Sequence, residues 1–226
     1  MKQPLKERMK IAVVIPSFID DLQNLGKTLE TISQQTRCPE LVVVHISSIP
    51  SETILESFES VEYPFRFQIF SVPEKRSAAE NRNAGATKVP EEFDVICFFD
   101  SDDWMHPSRI EYIERAFEES VDVVLHSIIR DRPDTFTGWE PVDYRLYTDC
   151  CYMKPNTARC YIAIDDDEKQ HASGHVSIRR SVAEDILFPS SKATLGGEDT
   201  LYLTHLYHSG YRFGYLLSKL SVYIQR

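Results

Sequence analysis

The chain has 226 residues, of which 42% are hydrophobic and 27% are charged, with a formal net charge of −10. These values are typical of a folded globular protein, and they exclude disordered and collagen-like chains. The negative charge argues against general binding to nucleic acid, because phosphate backbones are repelled over long range.

Five cysteines occur without a CxxC pair, which indicates reduced thiols and a reducing compartment. The basic N-terminus carries an apolar run of only five residues before Pro16, too short for a signal sequence or a membrane span. We therefore expect a cytoplasmic protein without a transmembrane segment, either free or peripheral to a membrane.

Four short apolar runs are separated by helical patterns in the first half of the chain. They are IAVVI at 11–15, LVVVHI at 41–46, FQIFSV at 67–72 and VICFF at 95–99. Hydrophobicity without alternation predicts strands that are covered on both faces. Between the first two runs, apolar residues spaced by three and four predict a helix capped by Asp20. This part of the chain is predicted to form βαβ units.

Two more helices are predicted on either side of the fourth run. Residues 74–88 are rich in alanine, and Gly85 among them indicates a close backbone contact or a helix end. Residues 107–120 have an amphipathic pattern, and Pro107 is predicted to lie in the first turn of that helix.

The pattern is weaker in the second half of the chain. A strand is predicted at 121–129, whereas 130–170 show no clear period and receive no assignment. A strand at 174–180 and a helix at 198–209 closed by Gly210 follow. The two last apolar runs, 211–217 and 220–225, are predicted to form a hairpin.

Three carboxylates, those of Asp100, Asp102 and Asp103, follow the fourth apolar run within four positions. Like charges at the end of a buried element repel one another, so they favour a bound cation. Carboxylate oxygens suit Mg²⁺ or Mn²⁺, and ligands of open α/β sheets bind beyond the carboxyl ends of the strands. The alternative, capping of the helix near Pro107, explains one aspartate and not three.

Four segments together resemble, in order, the motifs of the family 2 glycosyltransferases, which have the GT-A fold. They are VVIPSF at 13–18, ENRNAG at 80–85, FFDSDDWMHPSRIE at 98–111 and GGED at 196–199. The resemblance implies one α/β domain over 1–226, with a mostly parallel mixed sheet flanked by helices. A nucleotide-sugar-binding half is expected at about 10–103 and an acceptor-binding half at about 104–226. The C-terminal extension of many relatives is expected to be absent.

The resemblance implies inverting transfer of a hexosyl or related sugar from a nucleotide-diphosphate sugar, expected to be a UDP-sugar. The implied acceptor is a hydroxyl of a glycan, a lipid-linked or another molecule. Asp199 matches the general base, and Asp102 with Asp100 matches the ligands of Mn²⁺ or Mg²⁺. The implied nucleotide contacts are Pro16, Ser17, Arg82, Asn83, Asp100, Ser101 and Asp102. The implied acceptor contacts are Gly174, His175 and Glu198.

The chain departs from the family after the second strand, where relatives usually have an aspartate that reads the base. His45, Ser47 and Ser48 stand there instead and can hydrogen-bond a base. Some relatives use a histidine as a third metal ligand, and spacing does not distinguish the candidates His171, His175, His205 and His208. Trp104 and Trp139 can stack on a sugar, although such rings more often serve in packing.

Two alternatives come from other classes of protein. A haloacid-dehalogenase-type phosphatase also has a D-x-D motif, but after its first strand, whereas here the motif follows the fourth. A non-catalytic nucleotide- or glycan-binding module on the same fold stays open because the second-strand motif is altered. The presence of Asp100, Asp102 and Asp199 favours an enzyme over such a module.

Overall fold

Strands and helices alternate through the first half of the chain, as the apolar runs predict. The computed structural model describes residues 8–48, 58, 60–153, 160–164, 167–170, 174–190 and 197–225. The strands are β1 (Ile11–Phe18), β2 (Leu41–Ser47), β3 (Arg66–Val72), β4 (Val95–Phe98), β5 (Trp104–Met105), β6 (Val123–Asp131), β7 (Leu146–Thr148), β8 (Cys151–Met153), β9 (Cys160–Ile164), β10 (Asp167–Gln170), β11 (Ser177–Arg179) and β12 (Phe213–Ile224). The helices are α1 (Leu22–Ser33), α2 (Ala78–Ala86), α3 (Arg109–Phe117), α4 (Arg180–Asp185) and α5 (Glu198–His208).

The main sheet is mixed and mostly parallel, with the order β3-β2-β1-β4-β11-β6-β12-β5 and β7 beside β12. Its first four strands are parallel, and β11 is antiparallel to both of its neighbours. A second sheet of order β10-β9-β8 is formed by the region in which the sequence shows no period. Within the described residues, no helix is long and apolar enough to cross a membrane.

Alternate residues of the central strands face two separate apolar clusters. In β1, Ile11 and Val13 face the cluster that includes residues of α1 and α3, whereas Ala12 and Val14 face the cluster that includes residues of α5. All four side chains are fully buried. This two-sided burial confirms the prediction made from the continuous apolar runs.

Three local predictions are wrong, namely the cap of α1, the position of Pro107 and the C-terminal hairpin. A 3-10 turn that includes Asp20 follows β1, so α1 begins at Leu22 and its N-cap position is Asp21. Pro107 precedes the N-cap of α3 instead of lying in its first turn. The predicted C-terminal hairpin is one strand, β12, because both apolar runs pair with β6. Shifts of register between Leu216 and Ser221 accommodate the polar residues between the runs.

The structure gives a physical reason for the glycines at two positions. A Cβ atom at Gly85 would lie 2.6 Å from Val14 Cγ1, so α2 approaches β1 closely here, one residue before the helix ends. Gly210 has a φ of +80° just after α5, the conformation that commonly ends helices. Both findings confirm the sequence predictions.

Candidate functional site

A cavity of about 340 Å³ opens beyond the carboxyl ends of the strands of the main sheet. Six of its lining residues are predicted site residues: Arg82, Asp100, Gly174, His175, Glu198 and Asp199. Three others come from β6 and β12, namely Ile128, Arg130 and Tyr223, and we call them the β6–β12 wall. These three lie near the ends of strands without a recognisable motif, so no local sequence pattern marks them as site residues.

Arg82 joins three separate segments at this cavity. Its side chain is buried, and Nη2 donates to Asp100 Oδ1 over 2.6 Å while Nη1 donates to Glu198 Oε1 over 2.9 Å. Burial lowers the pKa of Arg82, but the two carboxylates raise it by more. The charge of Arg82 is thus balanced by acidic partners, and the bridge holds α2, the turn after β4 and the start of α5 together.

Gly174 lies against this bridge. A Cβ atom at Gly174 would be 2.4 Å from Arg82 Nη2 and 2.8 Å from Asp100 Oδ2. Real Cβ atoms do not approach other atoms so closely, so a side chain here must displace the ion pair. The groups close to Gly174 are thus those of the Arg82–Asp100 pair, and the predicted contact of Gly174 with the acceptor stays a prediction.

The three aspartates after β4 occupy different environments. Asp103 is fully buried, and its Oδ1 accepts from the backbone N–H of Ile224 over 2.8 Å. Asp100 and Asp102 are half-buried. Burial raises the pKa of Asp103. Burial also raises the pKa of Asp100, but Arg82 and His175 lower it by more.

Thr28 of α1 holds the backbone of this acidic turn. Its Oγ1 atom donates to the carbonyl oxygens of Ser101, at 2.8 Å, and Asp103, at 2.9 Å. Ser101 is itself buried. The backbone of the turn is therefore anchored to the helix of the first βαβ unit.

His175 completes a group of potential metal ligands with Asp100 and Asp103. One ligand atom of each of these residues lies within 4.8 Å of the others. His175 Nε2 lies 2.8 Å from Asp103 Oδ2 and 3.8 Å from Asp100 Oδ2. Two carboxylates and an imidazole are donor groups that fit a divalent metal ion. Asp102 does not belong to this group, so its role as a metal ligand stays a prediction.

The other predicted histidines have other positions. His205 and His208 lie in the last turn of α5, whereas Glu198 and Asp199 lie in its first turn. His171 is outside the described residues. Of the three candidates that the structure describes, His175 is the one that joins the group of potential metal ligands.

Arg109 supports the site from beneath and was not identified from the sequence. It is fully buried, and its Nη2 donates to the carbonyl oxygens of Phe98, over 3.3 Å, and His175, over 3.1 Å. Its Nε donates to His126 Nε2 over 2.9 Å. Burial lowers the pKa of Arg109 to about 10. In an amphipathic pattern an arginine reads as a surface residue, so no local signal indicates this role.

Asp199 lies at the start of α5 and lines the cavity. Its Oδ1 accepts from the backbone N–H of Thr200 over 2.7 Å. Burial raises the pKa of Asp199 more than this hydrogen bond lowers it. The hydrogen bond at the helix N-terminus therefore does not outweigh the desolvation of this carboxylate.

The strand ends on the predicted nucleotide side are tied together by Asn81. Its Nδ2 donates to the carbonyl oxygen of Ser17, over 3.1 Å, and to Ser47 Oγ, over 3.0 Å. Its Oδ1 accepts from His45 Nδ1 over 3.0 Å. Pro16 is buried in β1 like its neighbours. His45 and Ser47 are thus engaged inside the protein, and of the three candidates for the base Ser48 alone lies beyond the end of β2.

Asn83 and the tryptophans take part in packing. The Asn83 amide donates to the carbonyl oxygen of Phe188 and accepts from its N–H, both over 2.9 Å. Trp104 and Trp139 both pack edge-on against Phe136, with ring centroids 5.4 and 5.0 Å away. These contacts are the packing alternative that the sequence analysis left open for both tryptophans.

Comparison with known proteins identifies the fold. A family model described as Glycosyl transferase family 2 matches residues 12–187. The crystal structure of S. aureus TarS 1–349 matches with a TM-score of 0.70 and 17% identity, over 96% of this chain and 60% of that one. Structures of the same protein in complex with UDP-GlcNAc and with UDP give TM-scores of 0.69 and 0.70 at 18% identity, again over 96% of this chain and over 59% and 61% of theirs.

These structural matches confirm the predicted architecture, which is the GT-A fold. This chain spans about 60% of the TarS fragment that it matches. Among curated protein sequences, none is similar enough to give a significant match.

Proposed function

Because this chain belongs to glycosyl transferase family 2, we propose that it transfers a hexosyl or related sugar from a nucleotide-diphosphate sugar to an acceptor hydroxyl. The observation that carries this proposal is the bridge made by Arg82. It draws Asp100 and Glu198, the neighbour of Asp199, to one cavity. A proposed donor site and a proposed general base thus share one space, as direct displacement requires.

The proposed donor is a UDP-sugar. The structures of S. aureus TarS with UDP and with UDP-GlcNAc support this choice. The proposed nucleotide contacts are Pro16, Ser17, Arg82, Asn83, Asp100, Ser101 and Asp102. Of these, Arg82 and Asp100 line the cavity, while the amide of Asn83 already binds the backbone of Phe188.

A divalent cation, Mn²⁺ or Mg²⁺, is proposed to bind at the acidic turn after β4. Its proposed ligands are Asp102 and Asp100, and the group of Asp100, Asp103 and His175 supplies a second set that shares one residue with the first. A bound cation supplies a fixed positive charge that stabilises the departing nucleoside diphosphate. Replacing Asp102 in one variant and His175 in another tests which of the two sets of ligands holds the cation.

Asp199 is the proposed general base of a displacement that inverts the anomeric carbon. Its carboxylate takes the proton of the acceptor hydroxyl while the hydroxyl oxygen bonds to the anomeric carbon and the bond to the diphosphate breaks. Burial raises the pKa of Asp199, which makes the ionised form a better proton acceptor. Gly174, His175 and Glu198 remain proposed acceptor contacts, and Glu198 is oriented by its ion pair with Arg82.

Thermal unfolding with UDP or UDP-GlcNAc, with and without Mn²⁺, tests the donor and the metal. A ligand at 100 times its Kd stabilises a protein by about 2.7 kcal/mol. We expect stabilisation that depends on Mn²⁺, and we expect Asp102→Asn to remove that dependence. If His175→Gln removes it and Asp102→Asn does not, the metal is held by the second set. No stabilisation by any common nucleotide contradicts the proposed donor.

Release of UDP from UDP-GlcNAc tests turnover. Asp199→Asn should slow release by about 10²- to 10⁴-fold, the usual size of a general-base effect. UDP binding should change much less, because Asp199 is assigned to the acceptor hydroxyl. A wild-type protein that binds UDP with Mn²⁺ but never turns over a nucleotide sugar is instead the non-catalytic binding module.

A further inference from the structure

The β6–β12 wall of the cavity has no role in the proposed transfer. Arg130 of β6 and Tyr223 of β12 are cross-strand partners, and both line the same cavity as Asp199. Tyr223 is 46% exposed, whereas the preceding residue of the strand, Val222, is buried. An exposed aromatic ring and a guanidinium side by side on a cavity wall form a surface that a ligand can cover.

Arg130 differs from Arg82, the other arginine of the cavity. Arg82 is buried and forms ion pairs with two carboxylates. Arg130 is exposed, and its Cζ atom lies 6.0 Å from the ring centroid of Tyr223. In the part of the chain that the structure describes, Arg130 has no carboxylate within 4.0 Å. Arg130 therefore keeps a positive charge for a ligand, whereas the charge of Arg82 is already balanced.

The position of Arg130 in the sheet favours the acceptor over the donor diphosphate. The proposed donor site is built around the turn after β4, and β11 lies between β4 and β6 in the sheet. Arg130 and Tyr223 are on β6 and β12, on the far side of β11. A molecule whose hydroxyl reaches Asp199 in this cavity thus has the β6–β12 wall within its surroundings.

The other charged side chains of the cavity explain why an anionic acceptor would need Arg130. Asp100, Glu198 and Asp199 line the cavity, and Arg82 balances only part of their charge. The negative charge that is left repels an anionic acceptor unless another cation faces it. A guanidinium binds a carboxylate or a phosphate through two parallel hydrogen bonds, while a neutral sugar gains little from it. The ring of Tyr223 can stack on the apolar face of a sugar.

We propose that the β6–β12 wall is an acceptor subsite for hydroxyl compounds that carry a carboxylate or a phosphate, with Arg130 binding the anionic group and Tyr223 the body of the acceptor. This inference rests on the proposed function, because it assigns the acceptor of that reaction. It adds the chemical class of the acceptor, which the family and the fold do not specify.

Matched pairs of acceptors test the proposal with the full chain, UDP-GlcNAc and Mn²⁺. The pairs are glycerol with glycerol 3-phosphate, and methyl glucoside with methyl glucuronide. UDP release is measured as a function of acceptor concentration. We expect the anionic member of at least one pair to stimulate release at about tenfold lower concentration, the effect of one charge-assisted hydrogen bond. In Arg130→Gln this preference should be lost.

Arg132→Gln is the matched control, because Arg132 is exposed nearby and does not line the cavity. It removes the same charge and should keep the preference for the anionic acceptor. Equal or absent stimulation by both members of each pair overturns the proposal, as does an equal loss of preference in Arg132→Gln. Weaker UDP binding in Arg130→Gln places Arg130 at the donor and overturns it too. UDP binding to the wild type tests the proposed function separately.

Discussion

The Nε2 atom of His175 lies 2.8 Å from the Oδ2 atom of Asp103, and the two side chains are 2% and 0% exposed. Residues of β12 contact the other polar atom of each side chain, His175 Nδ1 and Asp103 Oδ1. Ser221 Oγ lies 2.8 Å from His175 Nδ1, and the N–H of Ile224 donates to Asp103 Oδ1 over 2.8 Å. The pair therefore fastens the turn after β4 and the segment before β11 to the last strand of the chain.

Replacing Asp103 should destabilise the protein strongly. Asp103→Ala leaves His175 and the buried N–H of Ile224 without this carboxylate, and each buried polar group left without a partner costs about 1–3 kcal/mol. Asp102→Ala is the neighbouring control, and we expect a loss below about 1 kcal/mol because Asp102 is half-buried. Urea denaturation of both variants measures the difference. Equal losses would show that the buried pair contributes little.

An alanine at position 174 should damage the site more than the fold. The new Cβ atom must displace the Arg82–Asp100 pair, so we expect UDP binding in the presence of Mn²⁺ to weaken at least about tenfold. Gly26→Ala is the control, since Gly26 is exposed in α1 and nothing lies within 4 Å of its added Cβ. That variant should gain about 0.5–1 kcal/mol of stability. Unchanged UDP binding in Gly174→Ala would contradict the expectation.

Turnover and donor binding should respond differently to acid. Burial raises the pKa of Asp199. Burial also raises the pKa of Asp100, but Arg82 and His175 lower it by more. As the pH falls, Asp199 is therefore protonated before Asp100. UDP release should be lost at a pH above about 4, the usual aspartate pKa, while Asp100 remains ionised for UDP binding. Measurements of kcat and of the UDP Kd against pH decide this, and loss of both at one pH would contradict it.

Arg109 should resist even conservative exchange. Its guanidinium reaches His126 and the carbonyl oxygens of Phe98 and His175 together, which a single ammonium group cannot do. We expect Arg109→Lys to lower the free energy of unfolding by about 1–3 kcal/mol, the cost of leaving a buried acceptor without a partner. Arg115→Lys is the control on the same helix; Arg115 is exposed and its guanidinium stacks on the Tyr144 ring, a contact that is worth only about 0.5–1 kcal/mol. Similar values in chemical denaturation of the two variants would disprove a supporting role.

Much of the front half could be predicted because its information is local. The apolar runs indicated β1 to β4, and the helical spacing indicated α1, because strand burial and helix faces leave short-range patterns. The region of β7 to β10 could not be predicted, since its strands are short and mostly paired within a small separate sheet. The prediction of a C-terminal hairpin was wrong for a related reason. Whether two apolar runs turn back or continue depends on their partner, here β6.

The sequence by itself determined the strand and helix pattern of the front half, the acidic run after β4 and the order of the family motifs, because each is encoded by neighbouring residues. Only the tertiary structure decided that Arg82 bridges to Glu198, 116 positions away, and that Asp103 receives the N–H of Ile224, 121 positions away. It also decided that Asp103 is buried while Asp102 is half-buried. Such contacts depend on how strands are ordered across the sheet, and no local periodicity records that order.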